Sequence, residues 1–498
     1  MIVQNYDAII IGSGAGGSAT AYALVNAGKR VLMLEKGGHL PRDGSTLDVQ
    51  CVFKQGTFKN KETWQDNQQH SFVPDEFYNV GGKTKWYGAA LLRFSPHEFE
   101  PDTAFQCLGW PISYADLASY YDQAEALLAV KHFANEPQLQ CLINRIVKHN
   151  PRWQSQLLPL GLKHEILQHP REAKHFDGFA SPGNYKSDAQ ENLLAPLLNS
   201  DLFTLHIHKE VAGLLAAEQS PQRIIGVLCE DGSSYHAPHI ILAAGAMSSP
   251  RLLQNYLVQS GLNKTWPSAP LVGANLKIHL NSVLLALSPF VNHDMLRKTS
   301  IIFNQTFPHS TIQSLGWLDG EILATQLPSH IPRFVTNAMG RRAYGFFITT
   351  EDGSSADNRV VSGTQSGQRP ILDYSMERIP ASVAEHQSLL KAFKHSLLRS
   401  GLLGVSKPMG LAGTAHALGS MVMGEDTKTS VVDANGCVHG FHGLYVADGS
   451  VLPRSSRVNP ALTIYAWGLR LGVYLSNKQP PALAGGCLFI EISNHNNI

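Results

Sequence analysis

The chain has 498 residues, of which 43% are apolar and 16% are charged, and its net charge at neutral pH is +1. This length and composition predict a soluble globular protein with at least two domains. Because the net charge is close to zero, the chain offers no overall field that would attract a polyanion, and no nucleic-acid partner is expected.

The N-terminal segment and the cysteines bear on the compartment. The first residues, MIVQNYDAIIIGSG, have no basic region, and their apolar run is too short for a signal peptide or a membrane span. The six cysteines are scattered and include no Cys-x-x-Cys pair, so isolated thiols are expected rather than a zinc site. We therefore expect a cytoplasmic protein without a bound metal or a membrane span.

The first 35 residues predict a strand, a turn, a helix and a second strand. Residues 6–11 are a short apolar strand, GSGAGG at 12–17 is a glycine turn, and 18–27 form an alanine-rich helix. A second strand at 31–34 leads into Glu35. The pattern G-x-G-x-x-G thus lies between a strand and a helix, which is the context that a dinucleotide site requires.

Each position of this turn has a physical role in binding a dinucleotide. Gly12 permits the tight turn, Gly14 lets the backbone beside Ser13 approach a pyrophosphate, and Gly17 lets the helix pack on the strand. The helix N-terminus presents free N–H groups to the phosphates. Glu35 is placed to accept hydrogen bonds from an adenosine ribose. The motif alone does not decide between FAD and NAD.

Later segments predict further strands of the same sheet. Residues 239–244 are apolar on both faces, as in a buried parallel strand, and a helix follows from 248. Residues 443–446 form another strand, and a long apolar helix spans 461–475. Because these pieces are far apart in the sequence, we predict a discontinuous nucleotide-binding domain with a second domain inserted around 289–411.

Four further segments, together with the N-terminal unit, resemble the glucose-methanol-choline (GMC) family of flavoproteins. They are NVGGKTKWYGAALLRF at 79–94, HIILAAGAMSSPRLLQ at 239–254, VGANLKIH at 272–279, and the block that begins with HALGSMVMG at 416 and ends with NPALTIYA at 466. The resemblance implies FAD as the cofactor and an α/β fold. It implies a Rossmann-like FAD-binding domain, discontinuous in sequence, with a second α+β substrate-binding domain built on an antiparallel sheet.

We expect the domain boundaries to follow the same organisation. The FAD-binding domain is expected at 1–130 and 191–288, and its catalytic C-terminal part at 412–480. A connecting segment at 131–190, a substrate-binding domain at 289–411 and a tail at 481–498 complete the chain.

The resemblance also implies cofactor contacts beyond the first turn. Glycines in the segment at 79–94 would let the backbone lie against a flat ring system, and the last helix would direct its N-terminal N–H groups toward the flavin. The expected contacts are Gly81, Gly82, Thr84, Gly88, Val211, Ala244, Gly245, Asp448, Gly449, Pro460, Leu462 and Thr463. Some relatives join FAD covalently to a histidine near residues 84–86. This chain has Thr-Lys-Trp there, so non-covalent FAD is expected.

His416 and Asn459 are the expected catalytic residues. A hydride leaves an alcohol carbon readily only if the hydroxyl proton is removed at nearly the same time, so a base is needed beside the flavin. Histidine suits this task, and His416 matches the base of the family. Asn459 matches the residue that hydrogen-bonds the substrate oxygen. His439 and His442 lie between them in the sequence and are interpreted as structural.

The function that follows is FAD-dependent oxidation of a primary or secondary alcohol, such as a sugar or a polyol. A dehydrogenase that passes electrons to a quinone, a cytochrome or another protein is favoured, and an oxidase using dioxygen is the near alternative. The resemblance is also compatible with a lyase without net redox chemistry and with a non-catalytic flavoprotein, although the catalytic pair argues against the latter. Tyr344, Phe346, Phe347 and Trp317 are expected in the roof of the substrate pocket, which suits a sugar or an aromatic alcohol.

Overall fold

A five-stranded parallel sheet forms the centre of the nucleotide-binding region in the computed structural model, which describes residues 5–328, 330–363 and 368–478. The predicted tail at 481–498 lies outside these residues. The strands run in the spatial order Leu444–Val446, His239–Leu242, Ala8–Ile11, Val31–Leu34 and Phe203–His206. Four of the five are buried along their whole length, because both faces of a parallel sheet are covered by other elements.

Helix Ala15–Asn26 packs closely against the last helix, Ala461–Asn477. Glycine makes the approach possible, because a Cβ at Gly468 would lie only 2.5 Å from the Gly16 carbonyl oxygen. The hydroxyl of Tyr121, in helix Tyr114–Leu127, hydrogen-bonds Thr463 at 2.8 Å and ties a third helix to this pair.

Several of the predicted elements have different ends in the structure, and two of these differences have a clear physical reason. The first helix begins at Ala15 rather than at residue 18, because Gly16 and Gly17 already take helical conformations after the N-cap Gly14. The strand from His239 ends at Leu242 rather than at residue 244. The chain turns out of the sheet here, since Gly245 has a left-handed φ of 86°.

A six-stranded antiparallel sheet forms the centre of the second region. Its strands lie in the order Leu403–Pro408, Leu280–Leu287, Ala343–Thr350, Ser310–Ser314, Ser300–Asn304 and Trp153–Leu157. Helices Pro380–Arg399 and Pro137–His149 pack on one face of this sheet and form a hydrophobic core with it. A Rossmann-like domain beside an antiparallel sheet confirms the predicted fold class.

The remaining elements connect these two sheets. Smaller sheets are formed by Val211–Ala217, Ser220–Cys229 and Ser234–His236, by Trp64–Asp66, Ser71–Phe72, Arg359–Val361 and Ile371–Asp373, and by Lys131–His132 with Pro159–Leu160. The shorter helices are Pro170–Lys174, Ser249–Gln259, Gly320–Gln326 and Arg333–Gly340. Strand Leu280–Leu287, from a range predicted for the FAD-binding domain, pairs in the six-stranded sheet. None of the helices in the described part of the chain is both long and apolar enough to cross a membrane.

Candidate active site

A cavity of about 1050 Å³ is lined by residues from both large sheets. Most of the predicted site residues line it: Gly12, Ser13, Gly14, Glu35, Gly82, Thr84, Gly88, Val211, Ala244, Gly245, His416, Asp448, Gly449, Asn459 and Pro460. Gly17, Gly81, Leu462 and Thr463 do not line it. The carboxyl ends of the parallel strands open into this cavity, as expected for a ligand site in an α/β sheet.

The glycine turn leaves room for a ligand at the helix N-terminus. A Cβ at Gly12 would lie 2.5 Å from the Ala243 carbonyl oxygen, so the turn fits closely against the neighbouring strand. A Cβ at Gly14 would meet nothing within 4 Å, because this residue faces the open cavity. The first amide group that donates within the helix is that of Ser18, to the Gly14 carbonyl oxygen at 2.9 Å. The amides before it have no helical acceptor and suit a pyrophosphate.

Glu35 is fixed by hydrogen bonds at the end of its strand. Its carboxylate accepts hydrogen bonds from the Ser13 amide at 3.0 Å, the Ser13 hydroxyl at 2.6 Å and the Gly37 amide at 2.9 Å. The Ser13 hydroxyl oxygen in turn accepts from the Gly81 amide at 3.0 Å. Gly81, which lies behind the cavity wall, therefore connects the turn to the segment at 79–94.

The segment at 82–86 lies against the glycine turn and offers no histidine for a covalent bond at 84–86. Gly82–Lys85 is a single 3-10 turn in which Thr84 lines the cavity. Lys85 is buried in an ion pair with Asp188 at 2.9 Å. The Trp86 ring stacks on Phe77 with ring centroids 4.8 Å apart. These contacts are compatible with FAD that is held without a covalent bond.

Asp448 organises the ends of two neighbouring strands. Its carboxylate accepts from the Gly245 amide at 2.8 Å, the Ser249 hydroxyl at 2.5 Å and the Ser450 amide at 2.9 Å. Burial raises the pKa of Asp448, although these hydrogen bonds oppose the shift. Asp448 therefore holds Gly245 and Gly449, which both line the cavity.

Three predicted residues support the site from behind. A Cβ at Gly17 would lie 2.2 Å from the Gly12 carbonyl oxygen, so Gly17 allows the helix to pack on the turn. Leu462 and Thr463 are fully buried in the first turn of the last helix. That helix presents Pro460, Ala461 and Ile464 to the cavity.

His416 forms a pair with His279, a residue whose role the sequence did not indicate. The two Nδ1 atoms are 2.8 Å apart, and His279 Nε2 lies 3.0 Å and 2.9 Å from the carbonyl oxygens of Ser455 and Ser456. Because a carbonyl oxygen can only accept, His279 Nε2 carries its hydrogen. With both rings neutral, His279 Nδ1 is then an acceptor and His416 Nδ1 is the donor. The lone pair of His416 is left on Nε2.

Asn459 lies on the Nε2 side of His416. Its Nδ2 is 3.4 Å from His416 Nε2, and its Oδ1 accepts from Gln313 Nε2 at 2.5 Å. Gln313, in strand Ser310–Ser314, therefore orients the amide so that its N–H groups face the histidine. His279 was present in the segment VGANLKIH but had no distinguishing pattern, and Gln313 gave no signal in the sequence.

The surroundings of His416 favour its neutral form. Burial holds the pKa of His416 well below its ordinary value, and the neighbouring His279, Lys298 and Lys83 lower it further. Lys83 pairs with Glu76 at 2.5 Å. Lys298 forms an ion pair with Asp177 at 2.9 Å, beside Gly88. These surroundings therefore disfavour a proton on the His416 imidazole beyond the one that a neutral ring carries.

The loop at 454–456, whose carbonyl groups contact His279, is anchored by a buried ion pair. Glu351 and Arg454 are almost fully buried and form two hydrogen bonds at 2.8 Å and 2.7 Å. Glu351 also accepts from the Ser456 amide at 3.1 Å, and its other oxygen lies 2.9 Å from His309 Nδ1. Ser456 has a left-handed φ of 66°. The ion pair thereby fixes the carbonyl groups that determine the tautomer of the histidine pair.

The same ion pair explains a cluster of metal-ligand residue types. Donor atoms of Cys107, His309 and Glu351 lie within 4.8 Å of one another. The Glu351 carboxylate already neutralises Arg454, and burial raises the pKa of the Cys107 thiol above its usual range. The cluster is therefore part of the ion-pair network.

Three of the four predicted roof residues lie on strand Ala343–Thr350 and divide between its two faces. Phe347 lines the cavity, as does Trp317, whose ring lies 3.6 Å from the Arg297 guanidinium. Tyr344 and Phe346 were expected in the roof, but they point into the hydrophobic core on the opposite side. Phe346 and Phe347 face opposite ways because successive residues of a strand alternate. His439, interpreted as structural, contacts Ser430 instead of the cavity.

Two protein-family models match this chain. A family model described as GMC oxidoreductase matches residues 6–281, and a second model with the same description matches residues 405–468. The chain belongs to the GMC oxidoreductase family, as its sequence segments predicted. The family assignment confirms FAD as the cofactor, and it defines an oxidoreductase that acts on CH–OH groups.

The relatives include both oxidases and dehydrogenases. The chain is 26% identical over 511 residues to 6'''-hydroxyparomomycin C oxidase from Streptomyces lividus, with 93% of this chain and 90% of that protein covered. It is 22% identical over 555 residues to 2-methyl-1,2-propanediol dehydrogenase from Mycolicibacterium austroafricanum, with 95% of each covered. A solved structure of formate oxidase from Aspergillus oryzae RIB40 is similar with a TM-score of 0.69 at 14% identity, covering 95% of this chain and 98% of that one.

Proposed function

We propose that the chain oxidises a primary or secondary alcohol, with His416 as the base and Asn459 as the hydrogen-bond donor to the substrate oxygen. The observation that carries this proposal is the histidine pair, which leaves the His416 lone pair on Nε2 beside Asn459 Nδ2. A substrate hydroxyl that lies within hydrogen-bond distance of both atoms could give its proton to His416. It could also accept a hydrogen bond from Asn459 as negative charge develops on the oxygen.

FAD, when bound, supplies the acceptor for the hydride that leaves the alcohol carbon. The residues expected to hold it are those of the glycine turn, Glu35, and the residues at 244–245 and 448–449, which follow two strands of the parallel sheet. The low pKa of His416 keeps the base ready at neutral pH. Non-covalent binding is supported by the residues at 84–86, where the chain has Thr-Lys-Trp and no histidine, with Lys85 in an ion pair with Asp188 and Trp86 stacked on Phe77.

We further propose a dehydrogenase rather than an oxidase. The segment at 79–94 resembles the bacterial branch of the family that includes sugar, gluconate and polyol dehydrogenases, and one relative is a diol dehydrogenase. The test compares reoxidation of the alcohol-reduced enzyme by air-saturated buffer and by soluble quinones. Faster reoxidation by dioxygen than by every quinone would contradict a dehydrogenase.

The test of the base uses anaerobic stopped-flow measurement of flavin reduction by alcohols. Replacing His416 with alanine should slow reduction by about 10²–10⁴, the usual contribution of general-base catalysis. Asn459→Ala should slow it by roughly 10- to 150-fold, since it removes one hydrogen bond to a charged oxygen, which contributes about 1.5–3 kcal/mol. High pH should partly rescue only the His416 variant, because it supplies substrate alkoxide.

The exposed His442 provides the matched control for this experiment. His442→Ala should reduce its flavin at the rate of the parent. A His416→Ala variant that is equally fast would contradict the proposed base. Failure of every alcohol and sugar to bleach the flavin would instead favour the lyase or a non-catalytic flavoprotein.

A further inference from the structure

We propose that the substrate carries an extended apolar group that binds along one face of the six-stranded sheet. This inference rests on the proposed function, because it names the class of alcohol that the same site accepts. We call the surface the apolar strip. It consists of Val283, Leu285 and Leu287 from one strand, Phe347 from the next, and Val405 from the strand at the sheet edge, all of which line the cavity.

The apolar strip lies outside every hydrophobic core in the described part of the chain. In strand Leu280–Leu287, Leu284 and Ala286 are fully buried against the helices, whereas the three strip residues point the other way and are only partly buried. A sheet face open to water normally carries polar residues. Partly buried leucine and valine on a cavity wall indicate a ligand that completes their burial.

The pairing of the strands makes the apolar strip continuous. Val283 pairs with Phe347, and Leu285 pairs with Gly345 on one side and with Val405 on the other. Directly paired residues share a face of the sheet. From Val283 to Leu287 the strip covers four residue steps, which is about 14 Å at roughly 3.4 Å per residue.

The apolar strip begins next to the proposed base. The Phe347 and His416 rings are perpendicular, with their centroids 6.1 Å apart. Farther along, Leu315 and Leu318 lie over the sheet at Gly345, where a Cβ would be 3.0 Å from Leu315 Cβ and 2.6 Å from Leu318 Cδ1. The cavity wall near the far end includes Leu323, Leu327 and Met339. A substrate with its hydroxyl at His416 would therefore place its other end among apolar side chains.

The charges near the base favour an uncharged substrate over a polycation. Glu76 and Asp177 are each neutralised by a lysine, Lys83 and Lys298. Lys407, which pairs with Val283, adds another positive charge to the cavity wall. A sugar with several ammonium groups would meet these lysines, whereas an alkyl or aryl alcohol would not be repelled.

The first experiment measures binding without oxidation. Acetamide, butyramide, hexanamide and octanamide are titrated into the FAD-loaded protein by isothermal titration calorimetry. These amides contain no CH–OH group, so their affinity does not depend on the redox reaction. We expect Kd to fall about fourfold per added methylene, the factor that corresponds to about 0.8 kcal/mol per buried CH₂. Affinity that does not change with chain length would overturn the inference.

Variants then test whether the apolar strip is the surface that binds the chain. Leu285→Thr and Val405→Thr should each weaken octanamide binding about tenfold and leave acetamide binding unchanged. Leu157→Thr is the matched control, since Leu157 is a 40% exposed leucine on the opposite edge strand of the same sheet. A loss that is the same for short and long amides, or the same in the control, would show that the strip is not the binding surface.

The corresponding alcohols separate this inference from the proposed function. If flavin reduction depends on His416 while kcat/KM is the same from ethanol to octanol, the apolar strip is refuted and the oxidation stands. If long amides bind tightly and Leu285→Thr weakens them, yet no alcohol reduces the flavin, the strip stands and the oxidation is refuted.

Discussion

Replacing His279 with leucine removes the acceptor of the His416 Nδ1 hydrogen bond. In the parent protein this 2.8 Å contact fixes His416 in the tautomer whose lone pair faces Asn459. Leucine retains much of the volume but offers no acceptor, so His416 is free to carry its hydrogen on Nε2, where it cannot act as a base.

The size of the effect follows from one hydrogen bond. A neutral hydrogen bond contributes about 0.5–1.5 kcal/mol net, and about 1.4 kcal/mol corresponds to a tenfold change in rate. Flavin reduction at the pH plateau should therefore slow by roughly two- to twelvefold. This loss is smaller than that of His416→Ala, because the base itself remains.

The pH profile distinguishes a positioning role from loss of structure. His279 is one of the groups that lower the pKa of His416, after burial itself. Without it the pKa of His416 should rise, so the acidic limb of the reduction rate should move to higher pH. Lys298 and Lys83 still lower the pKa in the variant, which keeps the shift partial.

The assay is anaerobic stopped flow across pH, with His386→Leu as the matched control. His386 is another buried histidine, hydrogen-bonded to Ser282 and Thr350 at 2.8 Å, and it lies away from the cavity. Its loss should lower the free energy of unfolding without moving the acidic limb. A His279→Leu variant with the plateau rate and the acidic limb of the parent would refute the tautomer argument.

Three further predictions concern the cofactor and the stability of the site. FAD should be released into solution by acid denaturation, and flavin that stays with the precipitated protein would contradict non-covalent binding. Glu35→Ala should weaken FAD retention, measured by dialysis, while the flavin that remains is reduced at the parent rate; equal retention would refute the ribose assignment. Burial would raise the pKa of Glu351, but Arg454 and His309 lower it to about 2. A carboxyl group whose pKa is lowered on folding stabilises the protein above its unfolded pKa, so stability should fall as the pH drops from about 4 to about 2. In Glu351→Gln the free energy of unfolding, measured with urea, should be about 3–5 kcal/mol lower than in the parent at neutral pH. It should also depend less on pH between about 4 and about 2. A free energy of unfolding with the same pH dependence as in the parent would contradict this role of Glu351.

The sequence was most informative where local constraints are strict. The turn at 12–17 requires glycine for backbone reasons that involve only adjacent residues, so the strand, turn and helix were predicted within a few positions. The apolar runs at 239–244 and 443–446 predicted further strands of the same sheet, and the structure pairs both of them in it. Periodicity alone could not place Leu280–Leu287 in the antiparallel sheet, because a short apolar strand fits either sheet.

The sequence by itself determined the dinucleotide-binding unit, through residue types at fixed local spacing, and the family, through the segments that resemble it; FAD and the candidate base His416 followed as what that resemblance implies. Only the tertiary structure brought His279 and Gln313 to His416 and Asn459, across 137 and 146 positions of sequence separation. It also decided that Phe347 faces the cavity while Phe346 faces the core. The physical reason is that hydrogen-bond partners and the buried side of a strand are set by the packing of distant segments, which local patterns do not encode.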